Sequence, residues 1–253
     1  MKIAAKTSLA AFLMIFTHII KHRQGSSLSG RTFSPAAFSV LNTENLNIFR
    51  KGVFNGEHKS KDRIRCKSEG GVAKTTSAFN IAAMLAQREK RVLMIDLDPQ
   101  SSLSVSCLKY EYDPEDITIT ELMSSIINKN NIDYMAAVHH NELNNIDYIP
   151  ATITLSGFEV DLCRTRCCEM VLKRVISNYI GCYDYIIIDC PPSLSNLLYN
   201  ALSAADMVLI PVLAQEMALS GIPLLLDSID DIHEYANPGL KILGVFATWT
   251  EKN

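Results

Sequence analysis

The chain has 253 residues, of which 48% are hydrophobic and 20% are charged, and its formal net charge is −3. This is the composition of a globular protein with enough apolar material for a sizeable core, and its total charge does not point to nucleic-acid binding. The seven cysteines are scattered and form no C-x-x-C pair, which argues against a disulfide framework or a zinc site and indicates reduced thiols.

The first sixty residues differ in character from the rest of the chain. Lys2 and Lys6 precede an apolar run at residues 9–20, which is short for a transmembrane helix and has no small-residue cleavage site directly after it. Residues 21–68 are polar and show little periodicity. We therefore expect residues 1–60 to form an atypical, poorly ordered extension with one short apolar helix. A membrane anchor is the alternative interpretation of the apolar run.

From residue 69 onward, apolar runs of strand length alternate with helical patterns. Runs that are apolar along their whole length are typical of strands covered on both faces of a parallel sheet. The predicted strands are 91–96, 145–150, 183–189, 206–212 and 241–248, and the predicted helices are 74–88, 118–128, 157–179, 193–204 and 217–235. The alternation predicts a doubly wound, mainly parallel α/β sheet with helices on both faces, in a domain that spans residues 61–253.

The sequence EGGVAKTT at residues 69–76 has the features of a phosphate-binding loop. Glycines let backbone N–H groups face phosphates, a lysine reaches the β- and γ-phosphates, and a hydroxyl binds Mg²⁺. Gly70 and Gly71 suit the turn, Lys74 can contact the phosphates, and Thr75 can bind the metal. The N-terminus of the following helix favours anions. The expected nucleotide-binding residues are Gly70, Gly71, Val72, Ala73, Lys74, Thr75 and Thr76. A glycine turn before an ordinary helix is the alternative.

Two carboxylates follow predicted strands at positions that suit a metal ion and a water molecule. In sheets of this kind, ligands bind at the carboxyl ends of the strands. Asp98, in the sequence DLDPQ, is placed to orient a water, and Asp189, at the end of YIIID, is placed to hold Mg²⁺ through water. An aspartate after a strand is often only a helix cap or a turn former, so the prediction depends on the order and spacing of all the motifs.

Together the motifs resemble those of the ParA/Soj chromosome- and plasmid-partition ATPases, which belong to the deviant Walker A, MinD/ParA-like class of P-loop NTPases. The resemblance covers about residues 65–250 and is most specific in DLDPQ and DCPPS. It implies binding of ATP and Mg²⁺, an ATP-bound homodimer, and hydrolysis prompted by a ParB-like activating protein. It assigns Lys74 and Asp98 to catalysis and Thr75 and Asp189 to the metal, and it makes Asp96 structural.

The chain departs from the family pattern at three places. The family loop begins with a lysine that reaches the partner subunit's phosphates, but Glu69 stands at that position in this chain. A pair of unit charges about 4 Å apart is worth roughly 4 kcal/mol, so the glutamate would lose an attraction and add a repulsion. Lys67 is an alternative for that role. Ala73 replaces a glycine. At the edges of the domain, only the half-polar residues 62–66 are available as a first strand, and the chain ends at Asn253, before the C-terminal segment that carries the family's DNA-binding residues.

The expected function is that of a cytoplasmic, ParA/Soj-like ATP-binding protein of chromosome or plasmid partitioning. Non-specific DNA is a possible partner, and the departures predict weakened or lost ATPase activity. Two alternatives stay open. The first is a truncated or degenerate relative that does not hydrolyse ATP. The second is a MinD-like membrane-cycling ATPase, although a membrane partner is not expected from the DLDPQ and DCPPS motifs.

Overall fold

Seven strands and six α-helices make up the part of the chain that the computed structural model describes, which is residues 14–18, 74–213 and 222–248. The strands are β1 (Met14–His18), β2 (Val92–Asp96), β3 (His139–Asn141), β4 (Ile146–Ile149), β5 (Tyr185–Asp189), β6 (Met207–Leu213) and β7 (Lys241–Thr248). The helices are α1 (Lys74–Ala86), α2 (Ile119–Asn128), α3 (Thr154–Cys163), α4 (Val171–Ile176), α5 (Asn196–Ala204) and α6 (Ile222–Tyr235), with a π-helix at Ser102–Cys107 and 3₁₀ turns at Met135–Ala137 and Cys168–Met170.

All seven strands form one sheet in the order β3-β4-β2-β5-β1-β6-β7. Strands β4, β2 and β5 are parallel neighbours, and β6 and β7 form a second parallel pair. Strand β3 pairs antiparallel with β4, and β1 lies antiparallel between β5 and β6. The predicted α/β fold with a mainly parallel sheet is therefore confirmed, as are its five predicted strands.

Strand β1 lies where the sequence predicts part of an apolar helix, so that prediction is wrong for residues 14–18. A short apolar run cannot be assigned to helix or strand from its pattern alone. Here the neighbours β5 and β6 offer backbone hydrogen bonds on both sides, which favours the extended form. The predicted first strand at residues 62–66, and the remainder of the predicted extension, lie outside the described residues.

The long predicted helix at residues 157–179 is two helices, α3 and α4, separated by a 3₁₀ turn. Cys167 has a φ of 52° in this connection, and a left-handed residue cannot continue a right-handed helix. The apolar pattern continues through the break because both helices pack on the same core, to which Leu155, Leu162, Leu172 and Val175 all contribute. The helical period of the apolar residues therefore predicted helical structure correctly, but nothing in the sequence marked the break between α3 and α4.

Both faces of β2 and β5 are covered, which explains why these strands are apolar along their length. Leu93, Ile95, Ile186 and Ile188 belong to the large hydrophobic core on one face, while Met94 and Ile187, between them in sequence, are also fully buried. Helix α1 packs against both strands. Since burying one such side chain contributes roughly 1.5–3 kcal/mol, this doubly covered pair is a main source of stability and a rigid base for residues at its carboxyl end.

The cysteines differ in part from the sequence prediction. Five of them are free thiols, namely Cys163, Cys167, Cys168, Cys182 and Cys190. Cys107 is disulfide-bonded, so the prediction of reduced thiols is wrong for that residue. A disulfide requires two Cα atoms to lie within about 7 Å of each other, which is decided by tertiary contacts and not by sequence spacing.

None of the helices within the described ranges is long and apolar enough to cross a membrane.

Candidate functional site

The candidate site lies at the carboxyl ends of the neighbouring strands β2 and β5. Asp96 and Asp189 are partners in the parallel register, and the Leu97 N–H donates to the Asp189 carbonyl at 2.9 Å. Helix α1 begins beside them, so that four predicted site residues, Lys74, Thr75, Asp98 and Asp189, come together. The loop residues Gly70, Gly71, Val72 and Ala73 lie outside the described residues, so their assigned role stays a prediction.

Lys74 is the first residue of α1 and is half-buried. Burial lowers the pKa of Lys74, while the nearby carboxylates of Asp189 and Asp98 act to raise it. The first turn of α1 contains no acidic residue, so no side chain of its own neutralises the positive end of the helix dipole. A cationic side chain at a helix N-terminus is an arrangement that favours a bound anion such as a phosphate group.

Asp189 is a fully buried carboxylate that lies beside the hydroxyl of Thr75 and the ammonium of Lys74. Neither of its side-chain oxygens has a partner of ordinary geometry in the described part of the chain. Burial raises the pKa of Asp189 to about 6, although the hydroxyl of Thr75 and the ammonium of Lys74 lie near enough to act in the opposite direction. Buried polar groups are almost always satisfied, so an orphaned carboxylate indicates a ligand that is part of the working site.

Mg²⁺ with its hydration shell fits these residues. Mg²⁺ keeps several waters and takes one or two protein oxygens together with substrate phosphates. Thr75, which is buried at the start of α1, and the unsatisfied Asp189 supply oxygens of this kind. No group of three or more histidine, cysteine or acidic side chains in the described ranges could hold a metal by itself. This agrees with an ion held chiefly by water and phosphate.

Asp98 is held in a tight turn after β2. Its Oδ1 accepts the N–H of Gln100 at 2.9 Å, and its carbonyl accepts the N–H of Ser101 at 2.8 Å. Ser101 has a φ of 55°, a left-handed conformation that closes the turn. Asp98 is 8% exposed as a residue, so its carboxylate is kept near Lys74 and Asp189 in a place with little water. Its assigned role in orienting a water stays a prediction.

The Asp96 carboxylate accepts three hydrogen bonds, which agrees with the structural role that the family resemblance implies. Its Oδ1 accepts the N–H of Asp98 at 3.1 Å, and its Oδ2 accepts the N–H of Ser104 at 2.9 Å and the hydroxyl of Ser104 at 2.7 Å. Burial and the neighbouring Asp189 raise the pKa of Asp96 to about 7. Ser104 was not predicted, because a single serine in a helical stretch gives no signal without the fold.

Thr76 is the remaining predicted residue that the structure describes. It is the third residue of α1 and is partly exposed. Its carbonyl accepts Nδ2–H of Asn80 at 2.6 Å, a contact within the helix. Its place in the first turn is compatible with the predicted phosphate contact, but the described contacts do not join its hydroxyl to the carboxylates.

The raised pKa values of Asp96 and Asp189 predict a pH dependence of stability. Both values lie above 3.8, so the native state binds these protons more tightly than the unfolded state does. Their contribution is fully present below about pH 4 and is lost as the pH rises through about 6 to 7. Urea unfolding without Mg²⁺ should therefore give a lower unfolding free energy at pH 7.5 than at pH 5. Asp189→Asn should show a shallower fall, and an equally steep fall in both proteins would contradict the prediction.

The mainly parallel sheet, the Lys-Thr start of α1 and the strand-end carboxylates define a P-loop nucleoside triphosphatase of the ParA/MinD-like type. The family described as AAA domain matches residues 65–242. The chromosome partitioning protein ParA of Myxococcus xanthus is 42% identical over 188 residues, which cover 74% of this chain and 64% of that protein. The sporulation initiation inhibitor protein Soj of Bacillus subtilis is 39% identical over 180 residues, 71% of this chain and 69% of that protein. The chain therefore belongs to the ParA/Soj family of chromosome-partitioning ATPases and spans about two thirds of these relatives.

A solved structure with the same fold is that of cobyrinic acid a,c-diamide synthase from Mycobacterium smegmatis with a bound ATP analog and magnesium. The match has a TM-score of 0.64 and 35% sequence identity, and it covers 72% of this chain and 71% of that one. The fold is thus shared with a protein that holds an ATP analog together with magnesium.

Proposed function

We propose that the chain is a ParA/Soj-like protein of chromosome or plasmid partitioning that binds Mg-ATP, dimerises around it and is reset by hydrolysis. The observation that carries this proposal is the fully buried carboxylate of Asp189 beside Thr75 and Lys74 at the start of α1. The match to a structure with an ATP analog and magnesium supports the same ligand pair.

Each residue has a distinct part in the proposed mechanism. Lys74 and the N-terminus of α1 bind the negative charge of the triphosphate, together with the loop residues 70–73. Thr75 holds Mg²⁺ directly and Asp189 holds it through water, and the bound ion neutralises charge that develops on the phosphate oxygens. Asp98 accepts a hydrogen bond from the attacking water and orients it. The buried strand ends β2 and β5 fix the spacing of these groups and limit water access.

In the proposed dimer, a second copy of the chain packs on the same edge of the sheet. Val105 follows β2 and is 55% exposed, and Ile153 follows β4 and is 68% exposed. Both side chains follow the carboxyl ends of parallel strands, on the edge of the sheet that the proposed dimer would bury. Two copies that meet on this edge would enclose both nucleotides, as the family resemblance implies. By the family resemblance, Glu69 stands where a lysine reaches the partner's phosphates, so its negative charge is expected to weaken such a dimer.

The experiment is a calorimetric titration of the full chain with ATP and Mg²⁺, followed by light scattering with a non-hydrolysable ATP analogue. We expect binding at or below millimolar nucleotide, and a larger dimer fraction for the Glu69→Lys, Ala73→Gly double variant than for the wild type. No heat of binding at millimolar Mg-ATP would refute the proposal. Binding without any dimer in either protein would refute its second part.

A non-hydrolysing relative is the second candidate function, and Glu69 and Ala73 favour it. Such a protein would bind Mg-ATP and stay in one state. Single-turnover hydrolysis, with protein in excess over labelled ATP, separates the candidates. If the chain hydrolyses ATP, a ParB-like activator and non-specific DNA are its proposed partners, and adding them should raise the rate of ATP hydrolysis.

A further inference from the structure

Ser104 joins the ends of two strands at the candidate site. It lies in the π-helix after β2, and its side chain is fully buried. Its hydroxyl donates to Asp96 Oδ2 at 2.7 Å and accepts the N–H of Ala151, which follows β4, at 3.1 Å. Its own N–H donates to the same Asp96 oxygen at 2.9 Å. The hydroxyl thus donates a hydrogen bond at the end of β2 and accepts one just after the end of β4.

The Asp96 carboxylate links Ser104 to the backbone of Asp98. While Oδ2 is held by Ser104, Oδ1 accepts the Asp98 N–H at 3.1 Å, so the orientation of one carboxylate fixes both contacts. Asp96 also faces Asp189 across the ladder between β2 and β5, where like charges repel. The donors of Ser104 and Asp98 hold the Asp96 carboxylate in place against that repulsion. Loss of the Ser104 hydroxyl would remove one of the three donors that hold the Asp96 carboxylate and would leave the Ala151 N–H without its acceptor, so that Asp96 and the backbone of Asp98 are held less firmly.

We infer that Ser104 is a positioning residue that sets the place of Asp98 through Asp96, without contact to nucleotide. This inference rests on the proposed function, in which Asp98 orients the attacking water. Displacing a reactive group by about 1 Å can cost on the order of 100-fold in rate, whereas phosphate binding depends on other residues. The role therefore predicts a loss of rate without a loss of nucleotide affinity.

The test compares wild type with Ser104→Ala, and with Asp98→Asn as the reference for a lost carboxylate. We expect Ser104→Ala to lower the single-turnover rate by roughly 100-fold, with the Kd for Mg-ATP changed by no more than about twofold. Ser104→Cys keeps nearly the same volume with a weaker donor and should give an intermediate rate. Ser104→Cys takes the place of Ser104→Ala in the test if the alanine variant does not fold. Ser106→Ala, on the same short helix, is the matched control and should leave the rate unchanged.

Hydrogen exchange of the same proteins gives a reading that needs no turnover. Ser104→Ala should speed exchange at the amides of Asp98 and Ala151, and Ser106→Ala should not. Unchanged exchange at both amides, or a rate within about twofold of wild type, would overturn the inference. So would a parallel loss of rate and affinity. A wild type that binds ATP without turnover would refute the hydrolytic step of the proposed function, while exchange would still decide the role of Ser104.

Discussion

Replacing Lys74 by methionine should abolish measurable Mg-ATP binding, with a loss of at least about 100-fold in affinity, or roughly 2.7 kcal/mol. Methionine keeps the length and volume of the lysine but removes its charge. A charge-assisted hydrogen bond contributes about 1.5–3 kcal/mol, and more where water is scarce. Lys74 is also the cation that Asp98 and Asp189 face. Its loss leaves those carboxylates to repel the phosphates directly.

Calorimetry on the full chain measures this effect. Lys90→Met is the matched control, because Lys90 is exposed and lies after the end of α1, far along the helix from the site. It should bind as the wild type does. If Lys74→Met retained an affinity within about threefold of wild type, the start of α1 would not be the phosphate site and the proposed function would fall.

Replacing Asp189 by asparagine should change stability and ligand binding in opposite directions. Asparagine has the same shape but no charge, so it removes a buried carboxylate that has no conventional hydrogen bond and that faces Asp96. Burial disfavours the charged form of Asp189 more than Thr75 and Lys74 favour it, so the unfolding free energy without Mg²⁺ at pH 8 should rise by about 2 kcal/mol. The increase in ATP affinity that Mg²⁺ gives the wild type should be largely lost. Urea unfolding and calorimetry with and without Mg²⁺ measure the two effects.

Asp184→Asn is the control at the other end of the same strand. Asp184 is partly exposed and pairs with Arg91 at 3.1 Å, and that hydrogen bond lowers the pKa of the Asp184 carboxyl. Its replacement should cost no more than about 1 kcal/mol and leave ATP binding unchanged. If Asp189→Asn lowered the stability as Asp184→Asn does, Asp189 would be a structural carboxylate and not a site for a metal's waters.

Several features of the site follow from sequence because they depend on local pattern. Lys74, Thr75, Asp98 and Asp189 are each fixed by a motif of a few residues at the end of a strand or the start of a helix. Parallel strands bring such ends to one edge of the sheet, so the pattern predicts that they meet. The structure places all four together. The roles assigned to them remain predictions that the variants above test.

Other features could not be predicted, because they depend on partners distant in sequence. Residues 14–18 are extended only because β5 and β6 leave a place between them, and the same apolar run is equally compatible with a helix. Ser104 acquires its role from Ala151, which is 47 residues away along the chain. The break between α3 and α4 at Cys167 preserves the apolar pattern because both helices cover one core.

The sequence by itself determined the α/β class, the family and the four side chains that meet at the end of β2 and β5. It could do so because strand period, loop composition and motif spacing are local properties of the chain. Tertiary structure alone decided that Asp189 is fully buried beside Thr75 and Lys74, that Asp96 accepts hydrogen bonds from Ser104, and that β1 runs antiparallel in the sheet. Burial, charge proximity and strand pairing arise only when distant segments pack, and these are the quantities that set the pKa values and the proposed metal site.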